Sequence, residues 1–228
     1  LDSYEIGFKS VWWDGRAVTN LAAFYSDYQD LQIIGSQGID TDGDGINDDF
    51  VGTLRNAGEA EIYGFEAEGT VLLTERFSVQ FALSLLETDI KEYIIAEGVD
   101  ISDDVAVQNT PEEMGFIGLN YDFDLFSGNL ALNASWSYRG DSSQFETPVK
   151  AIDQESYSMY NASAVWTSDG GHWLLGIHGK NLDDEEVKTS AYCFGVTGNC
   201  PTVIGLEDNT TIFYGPPRTF TATVEYRF

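Results

Sequence analysis

The last ten residues, Thr219-Phe220-Thr221-Ala222-Thr223-Val224-Glu225-Tyr226-Arg227-Phe228, put an apolar side chain at every even position and a polar one at every odd position. Successive side chains of a β-strand point to opposite faces, so this stretch reads as a strand with one apolar and one polar face. Phe77, Val79, Phe81, Leu83 and Leu85 alternate in the same way with Ser78, Gln80, Ala82 and Ser84. So do Leu130, Leu132, Ala134, Trp136 and Tyr138 with their neighbours, and Tyr4, Ile6 and Phe8 near the start. A tilted strand crosses a bilayer with about 9–11 residues, a length these stretches reach. No amphipathic helical run interrupts them.

Composition narrows the classes. The 228 residues hold 11 Lys and Arg against 38 Asp and Glu, a formal net charge of −27, which repels a phosphate backbone and excludes a nucleic-acid partner. A hydrophobic content of 43 % with 14 % aromatics is too high for a disordered acidic chain. No stretch approaches the ~18 uninterrupted apolar residues of a membrane helix, and no charged-then-apolar signal segment opens the chain. A helical membrane protein is excluded; one built of strands is not.

Nine strands are predicted, near residues 1–13, 18–34, 53–73, 77–92, 111–123, 128–140, 157–168, 172–181 and 216–228. Their connections alternate in length. Asp14-Gly15-Arg16, Thr74-Glu75-Arg76, Asp124-Leu125-Phe126-Ser127 and Ser168-Asp169-Gly170-Gly171 are short and made of turn residues. The connections 35–52, 93–110, 141–156 and 182–215 are long. Short turns at one end and long loops at the other mark an outer-membrane barrel. A soluble sandwich or lipocalin-like barrel is the alternative. Against it, the polar face is rich in Ser, Thr, Asn, Gln, Gly and Glu, as suits a wet lumen. Trp12, Trp13, Trp136, Trp166 and Trp173 lie near strand ends, where aromatic girdles sit. The long connections carry 19 of the 38 acidic residues and only Lys150 and Lys188 as bases, so the charge belongs to solvated loops.

Three segments resemble TonB-dependent outer-membrane receptors. Asn56-Ala57-Gly58-Glu59-Ala60-Glu61-Ile62-Tyr63-Gly64-Phe65-Glu66-Ala67-Glu68 is similar to a strand motif of that family. Lys180-Asn181-Leu182-Asp183-Asp184-Glu185 resembles the segment that ends its penultimate strand. Gly215-Pro216-Pro217-Arg218-Thr219-Phe220, running to a terminal Phe228, resembles its last strand and the final aromatic offered to the barrel-assembly machinery. The physics of these residues is structural. Gly58 and Gly64 suit a bend or a close neighbour, and Glu66 and Glu68 share the lumen face with Gly64, opposite Tyr63 and Phe65. Asn181 is a turn former, and Pro216-Pro217 can only precede a strand.

The resemblance implies an all-β fold, an antiparallel transmembrane β-barrel. Receptors of this family enclose a plug within about 22 strands. Nine strands, an odd number, cannot close an up-and-down antiparallel barrel. Residues 1–228 are therefore expected to be the C-terminal part of a receptor barrel, its last nine or so strands, with the plug and N-terminal strands outside this sequence. With Phe228 on the periplasmic side, every long loop falls outside the cell and every short turn falls in the periplasm, in the outer membrane of a Gram-negative bacterium. The partners implied are outer-membrane lipid, the rest of the receptor chain, the inner-membrane TonB energy complex and a surface lipoprotein.

The sharpest local motif is Asp40-Thr41-Asp42-Gly43-Asp44-Gly45-Ile46-Asn47-Asp48. Asp40, Asp42, Asp44 and Asp48 with the Ile46 carbonyl match the opening of a calcium loop, but Val51 stands where a bidentate Glu belongs. A weak Ca²⁺ site and a solvated acidic hairpin tip both fit. Cys193 and Cys200, the only cysteines, are expected to form a disulfide within the longest loop, since assembly passes through an oxidising compartment. His172 and His178 lie about 20 Å apart along one strand, too far to share a metal, and read as lumen residues with Lys180. No Ser–His–Asp set converges in any loop, so no enzyme is expected.

Function follows from the resemblance. It implies TonB-dependent uptake of a scarce nutrient, a ferric siderophore first, with another chelate, cobalamin or a glycan as alternatives. Tyr93, Phe145, Tyr157, Tyr192, Phe194 and Phe213 are either stacking contacts for an organic chelate or ordinary loop packing. The acidic loops suit neutral or cationic cargo. A passive diffusion porin and a Ca²⁺-organised surface adhesion barrel are the competing readings.

Overall fold

The computed structural model describes residues 1–39, 49–96, 99–146, 148–194 and 209–228. Twelve strands follow one another: β1 (Asp2–Trp12), β2 (Ala17–Ile39), β3 (Asp49–Thr74), β4 (Phe77–Ala96), β5 (Val99–Asp100), β6 (Glu113–Asp124), β7 (Gly128–Arg139), β8 (Tyr157–Ser168), β9 (Trp173–Lys180), β10 (Lys188–Phe194), β11 (Asn209–Tyr214) and β12 (Thr219–Tyr226). A single 3₁₀ turn, Ser102–Asp104, is the only helical element among the described residues.

One sheet runs in the order β1-β2-β3-β4-β6-β7-β8-β9-β12, with every neighbouring pair antiparallel. These are the nine strands expected from the alternation. Among the described residues β1 and β12 remain the two ends of the path, so the sheet is an open part of a barrel. Two features depart from the sequence reading. The connection expected over 35–52 begins and ends as strand at 35–39 and 49–52, because β2 and β3 continue as a ribbon through Ile39↔Asp49. The connection 182–215 contains a separate hairpin, β10–β11.

Register carries each face unbroken around the sheet. Phe8↔Leu21, Leu21↔Ala67, Ala67↔Leu83, Leu83↔Gly115 and Gly115↔Tyr138 share the outer face. The inner face carries Lys9↔Asn20, Asn20↔Glu68 and Glu68↔Ala82. Ile6, Phe220 and Val224 are exposed at 76 %, 70 % and 72 %, which in an aqueous protein would be a severe cost and in a bilayer is burial.

The outer apolar band has clear borders. From Tyr63 to Leu73, alternate residues of β3 face outward over about 33 Å of strand, or about 25 Å along the membrane normal at the usual tilt. Its upper border is a row of tyrosines, Tyr4↔Tyr25↔Tyr63. Directly above stands a row of carboxylates in register, Asp2↔Asp27↔Glu61↔Asp89. Like charges set opposite one another destabilise a sheet, and none of them can enter lipid. Lys91, the extra residue of a bulge in β4, offsets the repulsion by pairing with Glu61 at 2.9 Å and with Asp89. The Tyr25 hydroxyl donates to Glu61 at 2.8 Å. At the opposite end Trp173 and Tyr226 pack at 4.7 Å and Tyr226 and Phe228 at 5.1 Å, while the Trp166 indole N–H donates to the Leu125 carbonyl at 2.9 Å.

Gly64 shows why a glycine stands in the strand motif. A Cβ there would lie 2.5 Å from the Leu85 carbonyl oxygen and 2.9 Å from the Phe24 ring, so the close approach of β2 and β4 depends on its absence.

Candidate functional site

Two surfaces have the chemistry to handle a solute: the inner wall and the cluster of connections at the long-loop end. The wall follows directly from period two. Glu5, Lys9, Asn20, Glu66, Glu68 and Ser84 line a hollow of about 440 Å³ on the inner face of β1–β4, which Met114 and Phe116 of β6 close on one side. Asn20 Nδ2 donates to Glu68 Oε1 at 2.8 Å, fixing one carboxylate, and Glu66 and Glu68 are both exposed toward the lumen. The lumen placement of Gly64, Glu66 and Glu68, opposite Tyr63 and Phe65, is as the alternation predicts. A hollow of about 590 Å³ on the outer face is walled by Leu119, Leu132, Ala134, Ala162, Ala164 and Ile177 and belongs to the membrane side.

The long-loop cluster is a small fold of its own. Segment 141–156 closes on itself through Ser142 and Gln154, whose backbones exchange hydrogen bonds at 2.9 and 3.0 Å. Inside it Val149 and the fully buried Ile152 pack against Ala191 of β10, with Phe145 and Ile212 at the margin. Lys188 secures that contact from the hairpin side. Its backbone N–H donates to Gln154 Oε1 at 2.6 Å and its ammonium to the Asp153 and Ala151 carbonyls at 2.8 and 3.3 Å. On the other side the Ala106 and Asn109 N–H groups donate to Glu146 and Ser143 carbonyls at 2.7 and 2.9 Å. Three connections are thereby one body.

Its electrostatics follow from the same contacts. Tyr93, at the top of β4, is buried and donates its hydroxyl to Glu146 Oε2 at 2.6 Å. Burial first, and then the bond to that carboxylate, raise its phenol above the ordinary range. Asp100 accepts the N–H groups of Tyr93 and Ser102, each at 3.0 Å, and these backbone donors hold its carboxyl below the usual value of 3.8. Tyr93 and Phe145 are thus spent on loop packing. Tyr157 is half-buried and Phe213 half-exposed, while the side chains of Tyr192 and Phe194 lie outside the described residues.

The two terminal motifs prove to be one clasp. Asn181 is buried with φ of 51°, a left-handed conformation that Asn tolerates. Its Nδ2 donates to the Glu185 carbonyl at 2.8 Å and the Pro216 carbonyl at 3.3 Å, and its Oδ1 accepts the Glu185 N–H at 2.8 Å. Arg218 completes it, with its N–H on Asp184 Oδ1 at 2.8 Å and its guanidinium on the Leu182 carbonyl at 3.2 Å. The Leu182 N–H in turn reaches the Tyr160 carbonyl at 2.9 Å. Pro217 precedes β12 as expected, and Phe228 stands fully exposed beside Tyr226. Asn56 pairs with Gln32, and Gly58 sits opposite Leu31 where a bulge at Asp30, φ 57°, bends β2.

The remaining candidates divide. Asp40, Asp42, Asp44, Ile46 and Asp48 lie outside the described residues, as do Cys200 and the side chain of Cys193, whose backbone pairs with Thr210. Among the described residues no three of His, Cys, Asp and Glu are grouped to hold a metal. His178 lies on the inner face opposite Thr221, whereas His172 sits at the foot of the sheet, bonded to the Arg227 carbonyl at 2.9 Å and stacked beside Tyr226. The packing roles of Ile152 and Lys188 were not anticipated. The signal available was two branched apolar residues, Val149 and Ile152, spaced by three within a polar connection.

Comparison with known proteins agrees with this architecture. Residues 1–182 match the family model described as TonB dependent receptor-like, beta-barrel. No curated protein matches the sequence. Among solved structures the chain is similar to the ferric yersiniabactin uptake receptor FyuA from Yersinia pestis. The identity is 18 % and the TM-score 0.71, over 99 % of this chain and 29 % of that one. The siderophore receptor PiuA from Acinetobacter baumannii gives 18 % and 0.68, over 98 % and 28 %. The copper transporter OprC gives 15 % and 0.64, over 99 % and 31 %. At these identities the likeness is one of fold, and the chain spans under a third of each structure's length. The chain belongs to the TonB-dependent receptor family, and its sheet is part of that family's β-barrel.

Proposed function

We propose that residues 1–228 form the C-terminal part of a receptor that takes up a scarce nutrient across the Gram-negative outer membrane, driven by the TonB complex. A ferric siderophore is the cargo we favour. The observation that carries this reading is the match to the family's barrel together with the likeness in fold to a ferric yersiniabactin uptake receptor and to a siderophore receptor. The polar inner wall supports it, since a solute path needs hydrated side chains on the lumen face. In this reading the long-loop cluster faces the outside of the cell, and the short turns and Phe228 face the periplasm. The plug and the remaining strands come from the rest of the receptor chain.

Copper is the second reading, because the fold is also similar to a copper transporter. One experiment separates the two. Cells lacking the whole receptor are grown under iron limitation and under copper limitation, with radiolabelled iron supplied as a panel of chelates. Loss of energised iron import, restored by the intact gene and abolished by a protonophore, is the expected result. Unimpaired iron import with defective copper acquisition contradicts the siderophore reading. Import insensitive to the protonophore contradicts TonB dependence and favours a diffusion pore.

We further propose that Asp40, Asp42, Asp44 and Asp48, with the Ile46 carbonyl, bind Ca²⁺ weakly, and that Cys193 and Cys200 are disulfide-bonded. Calcium titration of the receptor and of its Asp42→Asn variant tests the first, and equal heat from both contradicts it. Thiol alkylation with and without reductant tests the second.

A further inference from the structure

The fate of the cations on this chain points to the charge of the cargo. The sequence holds only 11 Lys and Arg, so all but Arg55 can be followed. At the turn end Arg16 is bound to the Leu72 and Leu73 carbonyls at 3.1 and 2.5 Å, Arg76 to Asp124 at 2.6 Å and Arg227 to Glu225 at 2.7 Å. At the long-loop end Lys91 is held by Glu61 and Asp89, and Arg139 by the Asn109 carbonyl at 2.7 Å. Lys188 is capped by the Asp153 and Ala151 carbonyls, and Arg218 by Asp184 and the Leu182 carbonyl. Lys9 lines the inner hollow beside Glu5, Glu66 and Glu68, and Lys180 lies on the inner face with His178. The side chain of Arg55 lies outside the described residues. Lys150 is then the one exposed ammonium of the described long loops that is not engaged in such a contact.

Recognition of an anionic chelate draws on guanidinium or ammonium donors free to form charge-assisted hydrogen bonds, and here every described arginine side chain, with Lys91 and Lys188, is committed to the protein's own carbonyls or carboxylates, which leaves Lys9 among three glutamates, Lys180 and Lys150. Asp103, Asp104, Asp141, Glu155, Asp183 and Glu186 by contrast stand exposed on the same end. A surface that shows solvent one sign of charge raises the local concentration of solutes of the other sign and repels its own.

We infer that the receptor takes a neutral or cationic metal chelate and excludes multiply anionic ones. This rests on the uptake reading above. The test uses the full receptor in nanodiscs, with a cationic ferric trihydroxamate and a polyanionic ferric tricatecholate as probes, and radiolabelled import of both in cells. The trihydroxamate is expected to associate at least about tenfold faster at low ionic strength, an advantage that shrinks as salt is added. The double change Asp103→Lys with Asp104→Lys, at exposed positions away from the packed core, is expected to narrow that advantage further. Tighter binding and import of the tricatecholate overturns the inference while the uptake reading stands. A trihydroxamate preference indifferent to salt and to the double change also overturns it, because the field is then not the cause. If neither chelate binds or enters, the inference and the siderophore reading fall together.

Discussion

Asn181 joins two motifs that lie more than thirty residues apart, through hydrogen bonds no other side chain can reproduce. Asn181→Ala strips the Glu185 backbone of both its partners and the Pro216 carbonyl of its donor, and it leaves a Cβ residue at positive φ. A loss of about 2–4 kcal/mol in equilibrium unfolding is expected, with wild-type stability as the contradicting result. Glycines divide by cause in a way that two variants separate. Gly64→Ala meets the Leu85 backbone and the Phe24 ring and should cost about 1–3 kcal/mol by overpacking. Gly15→Ala meets nothing within 4 Å but sits at φ of 89°, so its cost of about 1 kcal/mol is conformational alone. Sequence marked Asn181, Pro217 and Arg218 as a pair of motifs. It could not show that they touch, because the hairpin between them carries no periodic signal.

Among the elements, the loop cluster behaves differently from the wall. Ile152 is fully buried, and the described apolar side chains that cluster with it, Val149, Phe145, Ala191 and Ile212, come from the connections, so Ile152→Ala should loosen these and leave the barrel intact. The expected outcome is a cluster weakened by about 2–5 kcal/mol, seen as faster amide exchange over 141–156 and 188–194 with β6–β9 unchanged. Uniform loss of protection would show that the cluster and the wall fold as one. Asp100 gives the cluster a pH response of known sign. Its folded carboxyl titrates below 3.8, so the stability it adds is fully present above that value and is lost as pH falls through the lowered folded value. Amide protection at Tyr93 and Ser102 should therefore hold from neutral pH to about 4 and fall below, and Asp100→Asn should remove that step. The strands of the membrane band were legible because one face meets lipid and the other water. Above the band both faces meet water and alternation is lost, and the end of the β2–β3 ribbon, 35–39 with 49–52, and the β10–β11 hairpin went unread for that reason.

At the scale of the molecule, one physical fact organises the chain: nine antiparallel strands keep the same face apolar through every register, from Phe8 on β1 to Phe220 on β12. The charge of −27 fits that arrangement, since Asp2, Asp27, Glu61 and Asp89 stand above the Tyr4–Tyr25–Tyr63 row, where they meet water, while Glu5, Glu66 and Glu68 lie on the lumen face. The central claim is therefore that even-numbered residues of β12 face lipid and odd-numbered ones face the lumen. Single cysteines at Phe220, Thr221, Ala222, Thr223 and Val224, in a receptor with Cys193 and Cys200 changed to Ser, can carry a fluorophore read against a lipid-borne nitroxide and a water-soluble quencher. The account predicts strict alternation, with the lipid quencher acting at 220, 222 and 224 and the aqueous one at 221 and 223. Uniform quenching by the aqueous agent at all five positions would contradict a membrane-facing sheet.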